Sequence, residues 1–276
     1  MSETEPIIQV SGLSKRFGSV TAVQPLDLSV TRHTSLGIVG ESGSGKTTLA
    51  NMMIGRVRPS KGSITVNGND RSRPANTAVE RRRRAKELQM VFQDPYSSLN
   101  PRYTAEQSIL EVLKLHHPEL GSHGCTARLA ELCDLVGLDT RQRTSQPFSL
   151  SGGQRQRIVI ARALAATPEV LILDEAVAAL DVSIQAQIIN LLLDIRSEFG
   201  TTYVLISHDL AVVRQLTEEV VVMRRGQVVE RGRTSLVLSD PQHQYTQQLK
   251  ESIPRPGWKP VHRDDIPEPS APTQLA

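Results

Sequence analysis

The feature that most constrains this chain of 276 residues is the run Gly40–Thr47, which fits the pattern G-x-x-x-x-G-K-[ST]. A short apolar run, Ser35–Val39, precedes it and is typical of a buried strand, while Thr48–Ile54 after it reads as a helix. Glycines let such a loop wrap a phosphate chain with its backbone N–H groups pointing inward, and the helix N-terminus stabilises the anion. The sequence therefore predicts a strand, a phosphate-binding loop and a helix in succession.

Two side chains of this loop have expected roles of their own. We expect Lys46 to reach the β- and γ-phosphates of a nucleotide and to act in catalysis, and the Thr47 hydroxyl to ligate Mg²⁺. A loop of glycine and serine with a stray lysine is the alternative interpretation of this motif. The residues expected to contact the nucleotide here are Gly40, Glu41, Ser42, Gly43, Ser44, Gly45, Lys46, Thr47 and Thr48.

A second motif, Val170–Glu175, consists of four apolar residues followed by two acids. It is typical of a buried parallel strand, and ligands bind at the carboxyl ends of the strands in open α/β sheets. We expect Asp174 to hold Mg²⁺ through water and Glu175 to polarise the water that attacks the phosphate. Taken alone, the motif also fits a buried strand that ends in a solvated acidic turn.

A third motif, Ser149–Arg157, contains the residues LSGGQ, with Ser151 placed as the N-cap of a helix. This run resembles the signature of ATP-binding-cassette (ABC) ATPases. The resemblance implies an α/β fold: a P-loop NTPase core of the ABC ATPase type, with an antiparallel β subdomain and an inserted α-helical subdomain. It also implies that two head-to-tail subunits sandwich two ATP molecules. The residues that would contact the partner's ATP are Ser151, Gly152, Gly153 and Gln154.

The same resemblance assigns four further positions. Phe17 would stack on adenine, although a buried core phenylalanine is the alternative. Gln93 would act in catalysis by touching Mg²⁺ or water and would couple the site to a membrane partner, and His208 would contact the γ-phosphate. Asp181 would belong to the D-loop, near which Ala178 replaces the serine that is frequent in the family.

Three segments narrow the resemblance to ATPases of the dipeptide/oligopeptide/nickel importer family. They are Met90–Arg102, Asp174–Val177 running into Leu180–Ser183, and Asp240–Leu249, the last of which has Gln244 where the family usually has proline. The resemblance covers about residues 7–254 and implies ATP-driven uptake of peptides or a related solute such as a nickel complex. The implied partners are two transmembrane permease subunits, a second ATPase subunit (the same chain or a paralogue) and an extracytoplasmic solute-binding protein.

The segment Gln93–Arg102 follows a core strand and leads into the predicted helical insertion. We therefore expect it to transmit the nucleotide state to the permease. A bulky charged residue at Leu99 should then weaken docking while leaving nucleotide binding largely intact.

Composition agrees with one α/β domain. The chain is 38% hydrophobic and only 3% aromatic, which predicts a mainly aliphatic core, and its net charge of +3 is too weak to indicate nucleic-acid binding. No apolar run approaches the roughly 18–20 residues that span a bilayer. The start, Met1–Pro6, lacks the features of a signal peptide, so we expect the chain to stay in the cytoplasm. The permease partners that the resemblance implies would place it at the cytoplasmic face of the cell membrane as a peripheral protein.

Periodicity predicts the elements and the domain limits. The ATPase domain is predicted at 1–250, with a helical subdomain at about 101–166 and a Pro-rich tail, extended or disordered, at 251–276. Strands are predicted at Ile7–Val10, Leu26–Val30, Leu36–Val39, Ser63–Val66, Leu88–Phe92, Val170–Leu173, Tyr203–Ile206, Val220–Met223 and Val228–Glu230.

Three other features receive structural interpretations. Cys125 and Cys133 are eight residues apart in one helical pattern, too far for a disulfide, so we expect structural thiols. The absence of a cysteine cluster near the C-terminus predicts that there is no iron–sulfur cluster. The run Arg81–Arg84 is flanked by acids and is expected to form a solvated helical face rather than a nucleic-acid patch.

Two other function classes stay open as alternatives. A soluble ABC protein of DNA repair, chromosome maintenance or translation would typically carry coiled coils, zinc modules or two fused cassettes. A regulatory subunit that binds ATP without hydrolysing it would lack Glu175 or an intact LSGGQ motif. The sequence shows no coiled coil, zinc module or second cassette, and both Glu175 and the LSGGQ motif are intact.

Overall fold

The computed structural model describes residues 6–178 and 180–251. The strands in this part of the chain are β1 (Pro6–Phe17), β2 (Val20–Thr31), β3 (Ser35–Val39), β4 (Lys61–Val66), β5 (Asn69–Asp70), β6 (Leu88–Val91), β7 (Val170–Asp174), β8 (Thr202–Ser207), β9 (Glu219–Arg224) and β10 (Gln227–Arg233). The helices are α1 (Lys46–Met53), α2 (Ala78–Glu87), α3 (Pro95–Ser98), α4 (Ala105–His116), α5 (Gly121–Leu135), α6 (Thr140–Arg143), α7 (Gly152–Leu164), α8 (Val182–Phe199), α9 (Leu210–Leu216), α10 (Thr234–Ser239) and α11 (Gln244–Glu251).

The strands form two sheets. An antiparallel sheet has the order β2-β1-β4-β5, and a larger sheet has the order β10-β9-β3-β8-β7-β6. In the larger sheet β9, β3, β8, β7 and β6 run parallel, and β10 pairs antiparallel with β9 at the edge. Every residue of β3, β7 and β8 is buried, as expected for parallel strands that are covered on both faces. The carboxyl ends of these strands therefore meet at one edge of the sheet.

The antiparallel sheet packs on one face of the larger sheet. The interface is one apolar cluster in which Ile8 and Ile64 of the first sheet join Ile38 and Ile172 of the second, together with Leu49 of α1. The hairpin of β1 and β2 is longer than predicted, with twelve residues in each strand. The strand β5 was not predicted, because two polar residues carry no alternating pattern.

The helical insertion covers the other face. Helices α4 to α7 and two short helical turns occupy most of the predicted span 101–166. Ile109, Leu132 and Ile158 from this insertion share an apolar cluster with Leu171 and Leu192 of the α/β core. Two free thiols, those of Cys125 and Cys133, are buried in the same cluster on α5.

Two predictions at the edges of the domain have mixed outcomes. The run Arg81–Arg84 lies on α2 as expected, but Arg84 is buried, and its guanidinium is 2.5 Å from the Glu80 carboxylate. The expectation of a solvated face is therefore wrong for Arg84, since the Glu80 carboxylate pairs with its guanidinium.

Of the predicted tail at 251–276, Glu251 ends α11, and the rest lies outside the described residues. Among the described helices, none has the length and hydropathy needed to span a bilayer.

Candidate nucleotide site

The loop between β3 and α1 has a backbone that requires glycine at two positions. Gly40 and Gly45 have φ angles of +148° and +103°. A Cβ at Gly40 would lie 2.1 Å from the carbonyl oxygen of Met223, and one at Gly45 would lie 2.5 Å from that of Ala22. The loop is therefore wedged between strands, with α1 beginning at its end, as a phosphate-binding loop requires.

Lys46 is folded back onto this loop. Its Nζ donates hydrogen bonds to the carbonyl oxygens of Gly40 (2.7 Å) and Glu41 (2.8 Å). Burial lowers the pKa of Lys46, and the nearby carboxylates of Glu175 and Asp174 partly offset that effect. The loop thus holds a buried cation beside the place where its backbone can take a phosphate.

A cavity of about 690 Å³ opens beside the loop and brings together residues that are distant in sequence. Four predicted positions outside the loop reach it: Phe17, Gln93, Glu175 and His208. Phe17 is half exposed, so a buried core role is excluded for it, and the Lys15 ammonium lies 4.7 Å from its ring centroid. The residues lining the cavity are Phe17, Ala22, Ser42, Gly43, Ser44, Gly45, Lys46, Thr47, Thr48, Gln93, Glu175 and His208.

Asp174 ends β7 beside the start of α1. It is 5% exposed, and its Oδ1 lies 3.5 Å from the Thr47 hydroxyl, which donates to it. Burial, reinforced by the neighbouring Glu175 carboxylate, raises the pKa of Asp174 to about 6. A divalent cation would relieve this accumulation of negative charge.

Oxygen donors around this point fit Mg²⁺. The Thr47 hydroxyl and the Asp174 carboxylate are adjacent, and Gln93 lines the same cavity as Thr47. In the described part of the chain, no group of three His, Cys, Asp or Glu residues forms a metal site. Magnesium in nucleotide sites is commonly held by one or two carboxylates together with substrate phosphates, so this sparse donor set suits it.

Glu175 has an unusual backbone conformation that no sequence pattern indicated. Its φ angle is +51°, and its N–H donates to the carbonyl oxygen of Ile206 on β8 at 2.9 Å. A positive φ is uncommon for a residue with a side chain and is concentrated at functional sites. The Glu175 side chain reaches the cavity that holds the phosphate loop.

His208 contacts Glu175 directly. Its Nδ1 lies 2.9 Å from each carboxylate oxygen of Glu175, and the hydrogen bond is made to Oε1. The other oxygen, Oε2, is buried and has no hydrogen-bond partner among the described residues. The histidine side chain itself is 63% exposed. The sequence indicated separate roles for the two residues, whereas the structure places them in direct contact.

The LSGGQ residues lie apart from this cavity. Ser151 caps α7 in a capping box, in which Gln154 N–H donates to its Oγ (3.3 Å) and Ser151 N–H donates to the Gln154 side chain (2.8 Å). Gly153 is buried against Ile184 of α8, and Asp181, exposed, precedes that helix. None of these residues lines the cavity beside the phosphate loop.

The structure contradicts the expectation for Leu99. This residue is 4% exposed and belongs to the apolar cluster beneath the helical insertion. A charged side chain there would damage the core before it affected any partner. A groove of about 650 Å³ lies nearby, lined in part by Phe92, Ser97 and Arg162.

A family model described as ABC transporter matches residues 23–178. The chain belongs to the ABC transporter family. The oligopeptide transport ATP-binding protein OppD of Mycobacterium tuberculosis is 47% identical over 244 residues, which cover 88% of this chain and 39% of that protein. The glutathione import ATP-binding protein GsiA of Salmonella typhimurium is 44% identical over 264 residues, covering 91% and 42%. This ABC protein thus spans about two fifths of the length of these relatives.

For a shorter relative and two solved structures, the aligned region covers more than two thirds of both chains. A Brucella abortus ATP-binding protein named for peptide import is 46% identical over 234 residues, covering 85% of this ABC protein and 70% of the relative. CbiO1 of Clostridium perfringens, part of the ABC transporter complex CbiONQ, aligns with a TM-score of 0.75 at 26% identity over 86% and 92% of the two chains. A dimeric ATP-binding cassette in a post-hydrolysis state with ADP and phosphate aligns with a TM-score of 0.74 at 26% identity over 82% and 98%. The fold is that of an ABC ATPase.

Proposed function

We propose that this chain is the ATP-hydrolysing subunit of an importer that takes up peptides or a related small solute. The observation that carries the proposal is the cavity in which the phosphate loop meets Glu175, His208 and Gln93. Phosphoryl transfer to water needs a loop that binds the phosphates, an acid beside it and further polar side chains, and the lining of the cavity supplies all three. The family membership agrees with this chemistry.

Residues of one subunit perform the chemical step. Glu175 orients and polarises water, and His208, whose Nδ1 lies 2.9 Å from both oxygens of that carboxylate, holds it in place and would contact the γ-phosphate. Lys46 and the loop N–H groups stabilise charge on the transferring phosphoryl group. Thr47, Asp174 and Gln93 would hold Mg²⁺, which neutralises phosphate charge when bound. Phe17 offers its exposed ring to adenine.

A second ATPase subunit completes the site in this proposal. Ser151, Gly152, Gly153 and Gln154 begin a helix outside the chain's own cavity, which leaves the N-terminus of that helix open to a partner's phosphate. Asp181 lies exposed on the neighbouring segment. The similar cassette solved as a dimer supports this arrangement.

The proposed transport role rests on the names of the relatives and on the groove lined in part by Phe92, Ser97 and Arg162. The relatives are named for oligopeptide, glutathione and peptide import, and CbiO1 is part of a transporter complex. The groove carries Arg56 and Arg162 next to Phe92, a combination suited to an amphipathic segment of a permease. At the cytoplasmic face of the membrane, the ATPase subunits would bind two transmembrane permease subunits. ATP binding and hydrolysis would then switch the permease between inward- and outward-facing states, and an extracytoplasmic solute-binding protein would deliver the solute.

Substitution of Glu175 by glutamine tests the proposal. The change keeps the shape of the side chain but removes the anion, so we expect ATP binding to persist and turnover to fall by at least about 10²-fold, with an ATP-bound dimer accumulating. Steady-state hydrolysis and size-exclusion chromatography with ATP provide the measurements. Glu131→Gln, which removes a surface carboxylate paired with Arg128, is the matched control and should keep wild-type turnover. Near-normal hydrolysis by Glu175→Gln would sink the assignment.

A further inference from the structure

The last described helix, α11, contacts the phosphate loop through one side chain. The hydroxyl oxygen of Tyr245 accepts a hydrogen bond from the backbone N–H of Glu41 at 3.0 Å. Tyr245 is only 1% exposed, and the guanidinium of Arg224 lies 4.7 Å from its ring centroid. The segment around Tyr245 carried a family resemblance in the sequence but no assigned role in the chemistry.

The bonded N–H belongs to the same peptide group that holds Lys46. In the peptide between Gly40 and Glu41, the carbonyl oxygen accepts from the Lys46 Nζ at 2.7 Å while the N–H donates to Tyr245. A peptide plane bonded at both ends resists rotation, and the orientation of its carbonyl fixes where the ammonium lies. The neighbouring carbonyl oxygen, that of Glu41, takes a second bond from Nζ.

The helix that supplies Tyr245 is itself tied to the larger sheet. The Glu230 carboxylate on β10 accepts from the backbone N–H groups of Gln242 (2.9 Å) and His243 (3.2 Å). The N–H of Tyr245 donates to the His243 ring at 3.0 Å. Next to β10, the N–H of Gly226 donates to the carbonyl oxygen of Ser44 in the loop at 2.9 Å. The phenol and the loop are therefore attached to the same strand pair.

We propose that Tyr245 is a positioning residue for nucleotide binding, acting through the Gly40–Glu41 peptide to hold the phosphate loop and Lys46 in their binding arrangement. The inference rests on the proposed function, since it specifies how that site is kept in shape. Tyr245 does not line the cavity beside the loop, so its role does not require contact with the nucleotide. Its effect is preorganisation, in which the free protein already holds the bound geometry and loses less entropy on binding.

Tyr245→Phe tests this role, because it keeps the ring and its contact with Arg224 but removes the hydroxyl. One net hydrogen bond is worth about 1 kcal/mol, which corresponds to about a fivefold change in affinity. We expect the Kd for Mg-ATP and Mg-ADP, measured by fluorescence titration of the full chain, to rise about fivefold. The KM for ATP should rise similarly, with kcat changed by less than about twofold.

Tyr203→Phe is the matched control. Tyr203 is fully buried on β8, pairs with Ser35 at the far end of β3 from the loop, and donates its hydroxyl to the carbonyl oxygen of Leu192 at 2.8 Å. Its substitution removes an equally buried hydroxyl, so it should lower the melting temperature and leave the Kd unchanged. A merely structural role for Tyr245 would make the two variants behave alike.

Amide hydrogen exchange gives a second readout that does not need catalysis. In Tyr245→Phe, peptides covering the phosphate loop should exchange faster than in the wild type, while Tyr203→Phe should leave them unchanged. Unchanged Kd and unchanged exchange in Tyr245→Phe would overturn the inference, as would an equal rise in Kd in both variants. If the wild-type chain binds nucleotide but does not hydrolyse it, the proposed function fails while the binding and exchange tests still decide the role of Tyr245.

Discussion

Replacing each glycine of the LSGGQ motif by alanine separates packing from function. A Cβ at Gly153 would lie 2.4 Å from Cγ2 of Ile184, whereas one at Gly152 would lie 3.5 Å from Cδ2 of Leu180, an ordinary contact. Ile184 cannot turn away at low cost, because a β-branched residue in a helix has one strongly preferred rotamer. Gly153→Ala must therefore strain α7 against α8, and Gly152→Ala need not.

The magnitude follows from two opposing terms. Overpacking of this kind costs about 1–3 kcal/mol, while replacing glycine by alanine in a helix contributes up to about 0.5–1 kcal/mol of stabilisation. The second term applies to both variants, so the difference between them isolates the first. We expect Gly153→Ala to be about 1–3 kcal/mol less stable to unfolding than Gly152→Ala, which should equal or slightly exceed the wild type.

Urea unfolding of the full chain without nucleotide, followed by far-ultraviolet circular dichroism, measures this difference. In the Ile184→Ala background, Gly153→Ala should lower the free energy of unfolding by much less than it does in the wild-type background, since the clashing methyl group is gone. Equal stability of the two glycine variants, or a cost that Ile184→Ala does not relieve, would refute the reasoning. If Gly152 also serves a partner's phosphate, Gly152→Ala should lose ATP hydrolysis while keeping its stability.

Three other outcomes follow from the structure. Ser151→Arg should leave the ATP affinity of the single chain unchanged but block the ATP-dependent dimer seen by light scattering, whereas Thr104→Arg, which removes an equivalent capping box on α4, should dimerise normally. Asp174 binds its proton more tightly in the folded chain (pKa about 6) than in the unfolded one (ordinary value 3.8), so wild-type stability falls as pH rises through this window, by on the order of 3 kcal/mol. Asp174→Asn should therefore stabilise the nucleotide-free protein at pH 8 and lose that advantage below pH 4, and a pH-independent difference in melting temperature would contradict the assignment. Ser97→Arg, at an exposed position of the groove, should abolish uptake and co-purification with the permease while keeping nucleotide affinity, whereas Leu99→Arg should mainly lower the melting temperature.

The parts of the site that could be predicted from the sequence are those whose signal is local. The phosphate loop, β3 and β7 are each contained in a run of at most eight residues, and their apolar runs and motif residues are contiguous. The N-cap of α7 at Ser151 is local in the same way, because this serine and the capping glutamine, Gln154, lie three residues apart. Local chemistry decides these elements, so no knowledge of the remaining fold was needed.

The rest depends on contacts between distant segments. The distance of 33 residues between Glu175 and His208 fits the family and supported both assignments, but it did not predict that the two side chains contact each other. Glu41 and Tyr245 are 204 residues apart, and no sequence pattern indicated their contact. Leu99 lies among polar residues, which indicate a loop, yet packing of α3 beneath the helical insertion buries it. Arg84 is buried by different contacts, since its guanidinium donates hydrogen bonds to the Glu80 carboxylate and to the backbone carbonyl groups of Asp70 and Arg73.

The position of β3 in the sheet affects the order in which the protein can assemble during synthesis. This strand carries the phosphate loop, yet its neighbours are β8 and β9, and the second of them begins at Glu219. At synthesis rates of about 5–20 residues per second, Ser35–Val39 would wait roughly 10–40 s for its second neighbour. Until β8 has been synthesised, β3, with its apolar residues Leu36, Ile38 and Val39, has no neighbouring strand in the larger sheet to pair with its backbone groups. Nucleotide can therefore stabilise this domain only after β8 and β9 have been synthesised, and the earlier stages rely on the chain's own packing or on chaperones.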